Sequence, residues 1–193
     1  METVLWITVF FYLLSHTMTK TTVSGVNRLK KYLVLSVILM FMCGTVLRIA
    51  YEASGGAVWS LLVSGVNRSP WEQTKPYALV YLMWTFLDLS VLRPKLLHFV
   101  SARLISLHCF TGGSLLLLSL SGSKSGEETY SLLLLGGGLS AAVLVEYLLY
   151  RQPHRIEFLM VPLLVASAGL LLCLMFLTFY PPDWVPFRDI MSD

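Results

Sequence analysis

Charge is what this sequence has least of. Only 13% of its 193 residues are Asp, Glu, Lys or Arg, while 56% are hydrophobic and the mean hydropathy is +0.72. A soluble domain carries about 25% charged residues. So few charges cannot coat a globule of this size, and part of its solvent must be hydrocarbon. The net charge is only +3. Its bases are scattered among apolar segments, which excludes the basic face that nucleic-acid binding requires. Cysteine is scarce as well. Cys43, Cys109 and Cys173 show no CxxC or Cys/His spacing, which excludes a zinc site or a disulfide framework. Each falls in an apolar run and is expected to be a small buried hydrophobe. The start lacks the positive charge of a signal peptide, with Glu2 in its place, so cleavage is not expected.

Catalytic signatures are missing too. There is no P-loop, no Gly-x-Ser-x-Gly elbow, no HExxH and no Ser/His/Asp set at one depth, which argues against familiar membrane enzymes. Haem between helices needs histidines on facing elements, and His108 alone lies well inside an apolar run. No metal and no cofactor are expected.

What the chain does have is six apolar runs, roughly Thr3–Met18, Tyr32–Ala50, Tyr77–Leu92, Leu104–Leu120, Tyr130–Tyr150 and Phe158–Tyr180. Each approaches the length that crosses a core of ~30 Å at 1.5 Å per residue. The connectors sort by charge. Lys20, Arg28, Lys30 and Lys31 follow the first run, Arg93, Lys95 and Arg103 the third, and Arg151 and Arg155 the fifth. Glu2, Glu52, Glu72, Glu127, Glu128, Asp183, Asp189 and Asp193 fall on the other side. Basic excess marks the cytoplasmic or matrix face. The sequence therefore predicts an all-α, polytopic transmembrane bundle of about six spans, forming a single membrane-embedded domain. Its basic loops face the cytoplasm or matrix, in either the endoplasmic reticulum or the mitochondrial inner membrane. Residues 181–193, with Pro181 and Pro182 ending the helix, read as an interfacial tail anchored by Trp184, Phe187 and Ile190. The connector Tyr51–Pro76 is expected to fold back on the membrane surface, and Pro162 to kink the last span.

Two carboxylates stand inside the apolar runs, Asp88 and Glu146. A charge facing lipid costs roughly 2.5–3.5 kcal/mol on insertion scales, so each is expected to face protein, water or a partner charge. Both lie about one turn from basic helix ends, within snorkelling reach of Arg93, Arg103 or Arg151. The third and fifth runs end alike, in Asp88-x4-Arg93-Pro94 and Glu146-x4-Arg151-x-Pro153. The hexamer VSGVNR occurs twice, at Val23–Arg28 and Val63–Arg68. Arg48, four residues before Glu52, suggests an ion pair along one helix. Together with His108, these residues form the candidate intramembrane polar set. Asn67-Arg68-Ser69 is a glycosylation sequon weakened by Pro70.

The run ARLISLHCFTGG at Ala102–Gly113 resembles the arginine helix of the proton-channel subunit a of rotary ATP synthases. That family has an asparagine soon after the arginine, where Leu107 stands here. Its glutamine-bearing last helix has no counterpart, so the resemblance brings no activity with it. Gly137-x3-Ala141 and Gly138-x3-Ala142 place small residues one turn apart and predict close helix approach. These features favour a non-catalytic membrane subunit that packs, among lipid, with other membrane subunits. The alternatives are a small transporter or channel using Asp88 and Glu146, and a membrane-embedded lipid-modifying enzyme.

Overall fold

The structure is a computed structural model and describes residues 26–92, 96–121, 128–151, 156–180 and 182. The first apolar run, Thr3–Met18, and the tail after 182 lie outside the described residues. Among the described residues there are seven helices in order: α1 (Val26–Arg48), α2 (Ala50–Ala53), α3 (Val58–Val63), α4 (Pro70–Leu92), α5 (Leu96–Ser121), α6 (Glu128–Arg151) and α7 (Met160–Phe179). A 3-10 turn at Glu157–Leu159 leads into α7. No strand occurs among the described residues.

Three of the described stretches are long and apolar enough to cross a membrane: Leu96–Ser121, Glu128–Arg151 and Glu157–Phe179. Tyr32–Arg48 is a shorter apolar stretch. Helix α4 spans 23 residues, about 35 Å at 1.5 Å per residue, but carries Glu72, Lys75 and Asp88. It begins seven residues before the Tyr77 start expected from sequence. Ser69 caps it, its Oγ accepting the Glu72 N–H at 3.3 Å, and Pro70 occupies the first helical position, where a missing N–H costs nothing. Pro162 likewise sits in the first turn of α7. A missing N–H costs little so near a helix start.

Neighbouring helices run antiparallel. Between α5 and α6 the pairs Ser121–Tyr130, Ser114–Gly138 and Arg103–Glu146 ascend on one helix and descend on the other. Tyr32–Asp88 and Thr45–Tyr77 give the same relation between α1 and α4. Helix α5 touches α4, α6 and α7 and is the centre of the bundle.

Polarity is inverted relative to a soluble protein. Asp88, Arg103, Glu146 and several serines are buried, whereas Phe86, Leu120, Leu133 and Val165 are each about 70% exposed or more. An apolar exterior around polar contacts is the arrangement that a hydrocarbon solvent favours. Cys109 and Cys173 lie on this exposed surface and Cys43 is half-buried, so the expectation of three buried cysteines is corrected. Lipid tolerates an outward thiol that water-facing surfaces avoid.

The glycines divide by what faces them. A Cβ on Gly44 would run into the ring of Tyr77, and one on Gly138 would lie 3.0 Å from Ser114 Oγ; one on Gly137 would meet nothing within 4 Å. Gly44→Ala should therefore destabilise the bundle by about 1–3 kcal/mol through overpacking. Gly137→Ala should leave stability unchanged or slightly raised. Thermal unfolding in one detergent separates them, and equal melting temperatures would overturn the α1–α4 contact.

The connector Ile49–Ser69 is not a bare loop. Helices α2 and α3 are locked by serines: Ser64 Oγ donates to the Arg48 carbonyl at 2.9 Å and accepts the Tyr51 N–H at 3.0 Å. Ser60 donates to the Ala57 carbonyl at 2.6 Å. The second VSGVNR copy lies at this segment's end. Its Val66–Arg68 is non-helical, while Val26–Arg28 of the first copy opens α1.

Candidate functional site

Arg103 is the eighth residue of α5, about 10 Å along it. Asp88 and Glu146 sit near the C-terminal ends of α4 and α6. Because both helices run antiparallel to α5, all three residues meet at one depth. Arg103 Nη1 lies 2.6 Å from Glu146 Oε2 and 3.0 Å from Asp88 Oδ2. Its Nε donates to Thr85 Oγ1 at 3.2 Å, and its Nη2 donates to the Tyr81 carbonyl at 3.0 Å and approaches Met40 Sδ at 3.9 Å. The guanidinium also stacks 3.9 Å above the Tyr81 ring centroid.

Each carboxylate has a phenol of its own. Tyr81 Oη donates to Glu146 Oε2 at 2.6 Å, and Tyr32 Oη donates to Asp88 Oδ1. Arg103, Asp88 and Glu146 are 2, 4 and 6% exposed. At such burial an ion must be paired and hydrogen-bonded or its desolvation dominates. Every nitrogen of the guanidinium has a protein partner here. Side chains from α1, α4, α5 and α6 converge on it, so the cluster ties four helices together. Formally it holds one positive and two negative groups.

The remaining candidates go elsewhere. Among the described residues Arg48 makes no ion pair with Glu52; its Nη1 crosses to Ser131 Oγ on α6 at 3.3 Å. The antiparallel α1–α6 contact places Ser131 in its reach. His108 bonds back to the Leu104 carbonyl of its own helix at 2.7 Å, away from the cluster. Arg151 lies exposed over Tyr147, 3.0 Å from its hydroxyl, and does not pair with Glu146. Arg93 is outside the described residues. Gly138 and Ala142 pack inward, while Gly137 and Ala141 open outward, because positions one apart on a helix differ by ~100°. Ser69, the hydroxyl of the sequon, is buried as the α4 cap. Among the described residues no three His, Cys, Asp or Glu are grouped to hold a metal ion.

A second buried ion cluster, unnoticed in the sequence, lies at the start of α4. Lys75 Nζ donates to Glu72 Oε2 at 2.7 Å, to the Leu61 carbonyl at 2.9 Å and to Thr178 Oγ1 at 2.9 Å. Glu72 also accepts the Val66 N–H at 3.1 Å and the Thr178 hydroxyl at 3.0 Å. Thus α3, α4, α7 and the connector share one ion pair.

Residues 18–102 match the model of a family of unknown function (DUF6512). The match covers less than half the chain, and to that extent the chain is similar to this family. No curated protein and no solved structure matches. The matched stretch contains Tyr32, Tyr81, Thr85 and Asp88, together with Glu72 and Lys75. It stops one residue before Arg103 and excludes Glu146. The whole second cluster except Thr178 is therefore inside it, whereas the first cluster needs α5 and α6 to be completed.

Proposed function

We propose that this chain is a six-span, non-catalytic integral membrane subunit that packs within a larger membrane complex, its basic loops on the cytoplasmic or matrix side. The observation that carries the reading is the outward face of α7. Val161, Val165, Leu172 and Phe176 are exposed along it. A Cβ on Gly169, at its middle, would meet nothing within 4 Å, and Ala166 and Ala168 beside it are exposed. Large apolar side chains around a small-residue notch suit close approach by another transmembrane helix. The central cluster fits the same role. Arg103 is saturated by the chain's own groups, which suits an inter-helix lock better than an exchanging site.

Gentle purification from the native membrane, followed by native gel and mass spectrometry, tests this. A stoichiometric set of partners is expected. Gly169→Leu should fill the notch and release them while leaving the melting temperature of the isolated chain unchanged. A lone monomer or homodimer from the native membrane sinks the reading. The runner-up is a small transporter or channel using Asp88 and Glu146, and it is favoured by the cluster's excess of one negative charge. It requires that Asp88→Asn abolish flux in liposomes holding the pure chain; the subunit reading requires that this change be nearly silent.

A further inference from the structure

Helices α1 and α6 lie side by side without closing completely. Between them runs an outward-opening apolar groove of about 590 Å3, bordered by Val34 and Ile38 on α1 and by Ser140, Val143, Leu144 and Tyr147 on α6. Ser140 supplies little bulk, and its hydroxyl is turned back to the Gly136 carbonyl at 2.8 Å. The groove therefore offers hydrocarbon contact and almost no polar partner along its length.

One end is different. Tyr147 is its last residue on α6, and Arg151 comes one turn later. The Arg151 guanidinium lies 5.4 Å from the Tyr147 ring centroid, and its Nη1 is 3.0 Å from the Tyr147 hydroxyl. Arg151 is thereby held at the groove's mouth, yet it is exposed and keeps donors for a ligand. The neighbouring carboxylate, Glu146, is turned inward onto Arg103 and does not neutralise this end. A greasy slot closed by a basic mouth, at the helix ends that face the basic connectors, is complementary to a molecule with a long hydrocarbon chain and an anionic head. Basic pockets between helices on that membrane face are where anionic phospholipids dock. An arginine fork matches a phosphate in a bidentate manner.

We propose that the α1–α6 groove is a binding site for an anionic phospholipid, with one acyl chain against Val34, Ile38 and Leu144 and its phosphate on Arg151. The site goes beyond the subunit reading and does not depend on it.

The test uses the full chain, delipidated in detergent and examined by native mass spectrometry. Dioleoyl-phosphatidylglycerol, dioleoyl-phosphatidylcholine and glycerol 3-phosphate are added at matched concentrations. Phosphatidylglycerol should be retained about tenfold more strongly than phosphatidylcholine, and glycerol 3-phosphate should not be retained. Arg151→Gln, an exposed change that leaves the melting temperature unaltered, should bring phosphatidylglycerol down to the phosphatidylcholine level. Ser140→Trp should fill the groove and lower retention of both lipids; Val34→Trp does the same from the opposite wall if Ser140→Trp misfolds. Equal retention of the two lipids overturns the proposal. So does a preference that survives Arg151→Gln, retention unaffected by either tryptophan, or binding of glycerol 3-phosphate as strong as that of phosphatidylglycerol.

Discussion

Arg103→Met is expected to destabilise the bundle by about 3–5 kcal/mol, the usual loss when one partner of a buried ion cluster is removed. Methionine keeps much of the volume and the apolar stem, so the loss is electrostatic. With the guanidinium gone, Asp88 and Glu146 face each other at 4 and 6% exposure with neutral donors, Tyr32 and Tyr81 among them, in place of a cation. Met40, Thr85 and the Tyr81 carbonyl lose their contacts at the same time. Asp88→Asn should behave differently. It leaves one cation against one carboxylate and keeps a side chain able to accept from Tyr32, so its cost should stay within about 1 kcal/mol. Glu146→Gln should fall between the two, because Glu146 is the closer partner of Arg103 and also accepts from Tyr81. The triple change Arg103→Met, Asp88→Asn, Glu146→Gln should recover most of the loss, since no ion remains buried. Melting temperatures of purified protein in one detergent at pH 7 give the comparison. An Arg103→Met protein as stable as its parent would remove Arg103 from the centre of the fold.

How much of this cluster the sequence reveals depends on how unusual each residue is in its surroundings. Asp88 and Glu146 stand out because a carboxylate inside an apolar run has few acceptable environments, whereas Arg103, one residue before the Leu104 run, reads as a connector charge and is buried because α5 begins at Leu96. Their meeting results from antiparallel helices, which bring the ends of α4 and α6 beside the start of α5. Tyr32, Tyr81, Thr85 and Met40 carry no such mark. A tyrosine in an apolar run reads equally as core filler or interfacial anchor, and only the rotation of α1 and α4 about their axes decides. The same lack of rotational information placed Gly137 and Gly138 in one packing face, although the bundle uses Gly138 and turns Gly137 outward. Likewise Arg48 has Glu52 within reach along the chain, but tertiary contact brings Ser131 closer.

Helix boundaries fail for a different reason. Pro70 and Pro76 make Tyr51–Pro76 read as a loop. Yet Ser69-Pro70-Trp71-Glu72 is a helix start written in local chemistry, with a capping serine, proline in first position and glutamate in third. Pro76 then lies inside α4. The duplicated VSGVNR makes the complementary point. Its Val-Asn-Arg is helical in one copy and irregular in the other, so these residues have no conformation of their own. The downstream neighbours decide: the first copy runs into Leu29–Lys31 and an apolar helix, the second into the Ser69 cap.

Lys75→Met should open the connector. Lys75 is fully buried and Glu72 is 4% exposed, so neither can be left as a lone ion without a large desolvation cost. Without the ammonium, Glu72 retains the Val66 N–H and the Thr178 hydroxyl, two neutral donors for a desolvated carboxylate. The Leu61 carbonyl, at the end of α3, loses its charge-assisted partner. A loss of about 3–5 kcal/mol is again the expected scale, but its form should differ from that of Arg103→Met. The ion pair joins α3, α4 and the C-terminal end of α7. The lowest-energy escape for Glu72 is therefore to admit water by releasing α2 and α3, leaving α5 and α6 packed. Hydrogen exchange should rise in residues 49–69 and at the end of α7, with α5 and the adjoining half of α6 remaining protected. Adding Glu72→Gln to Lys75→Met should restore protection, because the uncompensated charge is then gone. Uniform exchange across all helices in Lys75→Met would mean that this ion pair supports the whole bundle instead of fastening its outer cap.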